Sequence, residues 1–176
     1  MKHLLVVVDI QKDFVDGALG SAEAQAIVEN AAKKIKTFDG EILVTYDTHF
    51  ENYMDTAEGA KLPVPHCIKG TPGWELNETI AGALYGKQYT PVEKLTFGST
   101  ELPERVKALV GEEDFDITLI GLCTDICVVS NALILKANFP EKQVYVDAAC
   151  CAGVTVDTHK AALTTMKMCQ INVEGE

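Results

Sequence analysis

Positive charge is scarce in this 176-residue sequence: 15 Lys and Arg stand against 26 Asp and Glu, a formal net charge of −11 at pH 7. No basic stripe exists to displace counterions from phosphates, which argues against nucleic acid and anionic membranes as partners and for a small molecule or another protein. Long hydrophobic runs are missing too. The first apolar stretch, Leu4 to Val8 in "MKHLLVVVDIQKDF", ends at Asp9 and is too short for a secretory core or a membrane span. A cytoplasmic location is the expectation. The six cysteines lack disulfide or zinc-ribbon spacing: Cys123 and Cys127 read CTDIC rather than CxxC, and adjacent Cys150 and Cys151 make a poor pair. Free thiols in a reducing compartment are therefore expected, as core residues, metal ligands or nucleophiles. Repeats, low-complexity segments and linkers are absent, so one domain over residues 1–176 is expected.

What the sequence does have is alternation. Short β-rich apolar runs lie at 3–9, 40–47, 89–94, 116–121, 142–147 and 169–174. Runs apolar at consecutive positions suit strands buried on both faces, hence a parallel sheet covered by helices. Helix-compatible segments separate them: "SAEAQAIVENAAKKIKTF" with Ser21 as N-cap, "LPERVKALVG", "TDICVVSNALILKANF" ended by Pro140, and "TVDTHKAALTTMKM". The class is α/β, expected as a Rossmann-like open sheet of about six mainly parallel strands in the order 3-2-1-4-5-6, with helices on both faces. Residues 48–90 are the exception. This Gly-, Pro- and polar-rich stretch has room for one short helix around 74–84, and segments of this kind often carry function.

Ligands of open parallel sheets bind outside the carboxyl ends of the strands. Asp9 ends the first strand, Asp47 the second and Lys94 the third, while Cys123 and Cys127 follow the fourth. All five fall on one edge. A carboxylate at a buried strand end loses solvation, its pKa rises, and it becomes suited to proton transfer; Asp9 could equally serve only the turn that follows. Lys94 gains meaning from company, because an ammonium beside a thiol lowers the thiol's pKa. If Thr124 or Asp125 caps the helix running to Phe139, Cys127 sits in its first turn, where the dipole favours a thiolate. The alternative for Cys127 is a small buried hydrophobe. Asp47 and His49 in "YDTHF", with His66 in "PVPHCIKGTPGW", offer two imidazoles and a carboxylate to a divalent metal, zinc first and iron or manganese less specifically. Cys67 is a further candidate ligand; the alternative for the two imidazoles is surface histidines that hold no metal.

Taken in order, "VVVDIQKDFVDG", "TYDTH", "PHCIKGTPGWEL", "EKLTFGST" and "IGLCTDICVVSNAL" resemble the cysteine hydrolases of the isochorismatase-like superfamily, most closely the nicotinamidase/pyrazinamidase branch. The similarity spans essentially the whole chain. It implies Cys127 as nucleophile, Asp9 as proton-transfer carboxylate and Lys94 as the third member of a triad. It also implies a cis peptide before Cys123, with the backbone N–H groups of Cys123 and Cys127 as the oxyanion hole. Asp47, His49 and His66 match the branch's ligands for one divalent metal, which also takes the ring nitrogen of the substrate. Phe14 matches a substrate-contacting aromatic and Phe97 is a second candidate wall. The branch usually places a tryptophan near the PHC segment; here the stretch reads "AKLPVPHC".

The implied reaction is hydrolysis of nicotinamide to nicotinate and ammonia through a cysteine thioester. Family members often associate, so a homo-oligomer is expected, with residues 50–62 as a covering segment. The nearest rival is a related cysteine amidohydrolase acting on another small amide or carbamoyl compound. A thiol sensor or zinc-binding interaction module is the non-enzymatic alternative, disfavoured by Asp9 and Lys94 occurring with Cys127.

Overall fold

The computed structural model describes residues 1–176. Its elements, in chain order, are β1 (Lys2–Val8), α1 (Lys12–Val15), α2 (Ala22–Ala26), α3 (Val28–Thr37), β2 (Glu41–Asp47), α4 (Ala57–Lys61), α5 (Glu78–Leu84), β3 (Thr90–Lys94), α6 (Leu102–Val110), β4 (Phe115–Leu122), α7 (Val129–Asn138), β5 (Gln143–Ala152), α8 (Val156–Met168) and β6 (Asn172–Glu174). The strands form one sheet in the order β3-β2-β1-β4-β5-β6, every pair parallel. The expected architecture and strand order are both present.

The run that gives β1 its apolar character is buried on both sides. Leu4, Val6 and Val8 face a core shared with Leu102 and Val106 of α6, Ala132 and Leu135 of α7 and Leu163 and Met166 of α8. Leu5 and Val7 face the opposite core, built with Ala31, Ala32 and Ile35 of α3 and Ile80 and Leu84 of α5. Each such aliphatic side chain contributes about 1.5–3 kcal/mol when fully buried. Because β1 and β4 are neighbours while their connections run to opposite sides, a crevice opens at their carboxyl ends. No helix is long and apolar enough to cross a membrane.

Several boundaries differ from expectation. The segment read as one helix from Ser21 is two, α2 and α3, separated at Ile27, although Ser21 does cap it, accepting from the Ala24 N–H at 3.0 Å. Strand β5 continues past Asp147 to Ala152 because "AACCA" resumes pairing with β4 after a register shift, Gly121 opposite Cys151. Strand β6 starts only at Asn172, since Cys169 to Ile171 finish the turn of α8 with bonds back to Thr165, Met166 and Lys167. Residues 48–90 are richer than one helix. Besides α5, capped by Asn77, they hold α4, capped by Thr56, and single 3-10 turns at Tyr53–Asp55 and Pro72–Trp74.

Candidate active site

The ends of β1, β2 and β3 and the turn after β4 converge on the crevice. Asp9, Asp47, Lys94 and Cys127 are all buried there. The Lys94 ammonium lies 2.6 Å from Asp9 Oδ2, 3.2 Å from Asp47 Oδ1 and 3.4 Å from Cys127 Sγ, and it donates to the Thr96 carbonyl at 3.2 Å. Asp9 adopts a positive φ of 47°, which turns its carboxylate into the site rather than along the strand. Thr45 fixes it there: the Thr45 hydroxyl donates to Asp9 Oδ1 at 2.6 Å and accepts from the Asp9 N–H at 3.2 Å. Oδ2 has the ammonium as its ionic neighbour but no aligned hydrogen bond.

Burial raises the Asp9 pKa, Lys94 opposes it, and the net direction is upward. Burial alone would push the Lys94 ammonium down, but the Asp9, Cys127 and Asp47 charges carry it well up, so it stays protonated. For Cys127, burial and then Asp9 raise the thiol well above its ordinary value, with Lys94 pulling the other way. The pull of Lys94 has the expected sign, but burial and the Asp9 charge outweigh it.

The turn bearing Cys127 also departs from expectation. The Leu122–Cys123 peptide is cis, and residues Thr124–Val128 form one π-helical turn before α7 begins. Neither Thr124 nor Asp125 caps the helix; Cys123 occupies the cap position without a side-chain bond. Thr124 Oγ1 instead lies 2.8 Å from His159 Nδ1, and the Asp125 carboxylate accepts from the Val154 N–H at 3.1 and 3.2 Å. Both side chains tie the turn to the β5–α8 junction.

Beside this group, Asp47, His49, Glu58 and His66 bring one ligand atom each to within 4.8 Å of the others. Asp47 Oδ2 is 3.0 Å from His49 Nε2 and 3.5 Å from His66 Nε2, and Glu58 Oε1 is 3.6 and 3.5 Å from the same nitrogens. His66 Nδ1 is 2.8 Å from the Val64 carbonyl; donating its proton there leaves Nε2 as the free electron pair facing the cluster. Burial lowers the His66 pKa, but Asp47, Val64 and Glu58 outweigh it and the net direction is up. Burial would raise the Asp47 pKa, yet His49, His66 and Lys94 hold its carboxyl far below the usual range. The nitrogen and oxygen donor set fits a divalent ion such as zinc, iron or manganese. Cys67 is not part of it. Its thiol is buried in the sheet core, pushed up chiefly by burial, while its N–H donates to Asp13 Oδ2 at 2.8 Å.

A cavity of about 520 Å³ opens onto Cys127, Cys123, Asp47, Glu58 and His66. Phe14 and Phe97 both line it, as do Leu19, Leu62, Ile126 and Val154. Phe14 meets the His66 ring edge-on at 5.4 Å, whereas Phe97 is 46% exposed at the mouth. The single tryptophan is elsewhere: Trp74 packs on Tyr46 and donates to the Thr48 hydroxyl. From the "AKLPVPHC" stretch, Leu62 reaches the cavity.

The Isochorismatase domain family matches residues 3–174 of the chain. The chain belongs to that family. It is 27% identical to the nicotinamidase/pyrazinamidase of Mycobacterium tuberculosis (strain ATCC 25618 / H37Rv) over 183 residues, 96% of each chain. Its fold matches a nicotinamidase/pyrazinamidase from Bacillus subtilis at TM-score 0.85 with 25% identity, covering 99% of this chain and 100% of that one. It also matches a pyrazinamidase of Pyrococcus horikoshii in complex with zinc at TM-score 0.80 with 25% identity, covering 98% of both chains.

In this isochorismatase-family chain, two site residues escaped the sequence reading. Glu58 sits on α4, one turn that no long periodicity announces; the only signal is the Thr56 cap just before it. Thr45 lies inside β2, where an alternating β-branched residue reads as sheet filler. Its polar partner, Asp9, is thirty-six residues away, so only the β1–β2 register brings the two together.

Proposed function

We propose that this isochorismatase-family chain is an amidohydrolase that converts nicotinamide to nicotinate and ammonia, with Cys127 as nucleophile. The observation that carries the reading is the buried contact of Asp9, Lys94 and Cys127 at the floor of an apolar cavity flanked by a nitrogen–oxygen ligand cluster. The nicotinamidase and pyrazinamidase relatives support the choice of amide.

Asp9 is the base. Burial keeps its carboxylate a better proton acceptor than an exposed aspartate, and it takes the Cys127 proton. Sulfur attacks the carboxamide carbon, forming the C–S bond while the carbonyl oxygen becomes an oxyanion beside the N–H groups of Cys123 and Cys127. The C–N bond then breaks as Asp9 returns its proton to the leaving nitrogen, which departs as ammonia. Water, deprotonated by Asp9, cleaves the thioester, and the proton goes back to Cys127. Throughout, the Lys94 ammonium keeps Asp9 ionised between transfers and neutralises charge that would otherwise accumulate in a dry site.

Asp47, His49 and His66, joined by Glu58, would hold a divalent ion, which when bound supplies an electron-pair acceptor facing the cavity. Phe14 and Phe97 supply the walls for a flat ring. The test is ammonia release from nicotinamide by wild type and Cys127→Ala, with elemental analysis of metal in both. A fall of about 10³-fold or more in the variant, with metal unchanged, is expected. A folded, metal-loaded wild type that leaves nicotinamide intact overturns the substrate, and other small amides then take its place.

A further inference from the structure

Asn131 has no place in the chemistry above, yet it is completely buried beside it. Its side-chain amide makes three hydrogen bonds. Nδ2 donates to the Cys127 carbonyl at 2.8 Å and to the Phe97 carbonyl at 3.2 Å, and Oδ1 accepts from the Ser99 N–H at 2.8 Å. A single amide therefore spans the turn that carries the nucleophile and the loop that carries the outer cavity wall. Within that loop, residues 95–99, the Thr96 hydroxyl donates to the Gly98 carbonyl at 2.6 Å, and the Phe97 ring between them stands 46% exposed. Gly98 lets it approach α7 closely: a Cβ there would fall 2.4 Å from Ile134 Cδ1 and 3.2 Å from Ser130 Cβ. The Thr96 carbonyl on the same loop accepts from the Lys94 ammonium at 3.2 Å.

We infer that Asn131 is a positioning residue that fixes the Phe97 wall at a set distance from Cys127, and so governs how tightly a flat substrate is held against the nucleophile. The substrate named here rests on the nicotinamide reading; the wall-positioning role does not. The amide is suited to it because the Cys127 carbonyl and the Ser99 N–H it pairs with lie in a buried setting, and the Phe97 carbonyl in a partly buried one, where unpaired groups are costly. Leucine at this position would remove all three bonds. Aspartate keeps the shape and the bond to Ser99 but turns both donor contacts into repulsions between oxygens.

The test compares Asn131→Asp with wild type in two ways. The first is steady-state hydrolysis of nicotinamide, with Phe97→Ala and the double variant alongside. The expected result is a rise in KM of about tenfold or more in Asn131→Asp, which loses both donor bonds, with kcat changed far less. The double variant should show little further rise over Phe97→Ala, because the wall is already gone. The second is amide hydrogen exchange across residues 95–100 without substrate, expected to be faster in Asn131→Asp while β1 and β4 keep wild-type protection. Unchanged exchange in that segment overturns the inference, as does a loss confined to kcat or a fully additive double variant. Should wild type not act on nicotinamide, the substrate reading fails while the exchange measurement still decides the role of Asn131. If Asn131→Asp does not fold, Asn131→Ser, which retains one short donor, takes its place in both measurements with the same expected directions.

Discussion

The two halves of the site are built differently. Asp9 and Cys127 stand at the end of β1 and in the turn after β4, on the central β1–β4 pair of the sheet, and Lys94 ends the edge strand β3, which pairs with β2. Of the four ligand-bearing residues, only Asp47 ends a strand; His49, Glu58 and His66 hang on the irregular stretch that follows, kept in place by short caps and isolated bonds such as His49 N–H to the Cys67 carbonyl. Reactive geometry rests on the sheet and ligand geometry on a loop. A lost group on the sheet side should therefore cost stability as well as chemistry, while a lost ligand should change metal occupancy and leave unfolding close to wild type.

Four measurements sharpen or break that contrast. Lys94→Met should have the largest effect, leaving Asp9 and Asp47 buried without their shared counter-charge: a loss of about 3–5 kcal/mol in denaturant unfolding is expected, with activity down about 10³-fold. His66→Ala should leave unfolding close to wild type in the metal-free protein and abolish stoichiometric metal by elemental analysis. If it unfolds as readily as Lys94→Met, the contrast between sheet and loop is wrong. Glu58→Gln should be milder, weakening metal affinity by about tenfold in a competitive chelator titration. The smallest effect is on the shape of the pH profile. A raised Asp9 pKa means the folded state binds its proton more readily than the unfolded chain, so this group's contribution to stability falls as pH rises from about 3.8 through its folded value. Asp47, held low, contributes in the opposite sense, with stability that is present above that value and lost in strong acid. In activity, the acid limb should lie above the range of an ordinary aspartate, and Lys94→Met, where residual turnover permits, should move it higher.

The same contrast explains what the sequence disclosed. Strand ends can be read because an apolar run such as Leu4–Val8 announces both the strand and the point where it stops, and parallel pairing then sends every such end to one edge. Asp9, Asp47, Lys94 and the cysteines were legible for that reason, and the capped start at Ser21 from its residue type; the sheet order came with the Rossmann-like class. Glu58 was not, since its helix is one turn long. The π-helical turn at Thr124–Val128 was read as ordinary helix because apolar spacing over five residues does not separate the two. The net upward shift of the Cys127 thiol was not legible, because Lys94 is shared with two carboxylates and sharing can only be seen once the distances are known.

Gly121 shows how narrow the tolerance of such a site is. It pairs with Val8, the residue before Asp9, and precedes the Leu122–Cys123 bond. With φ at 125°, a Cβ there would sit 2.1 Å from the Val8 carbonyl oxygen. The close approach of β4 to β1, one residue before Asp9, thus depends on a hydrogen atom where every other residue type carries carbon. In a saturation library scored for turnover, this position, which touches no substrate, should reject alanine as firmly as the nucleophile's own position rejects it.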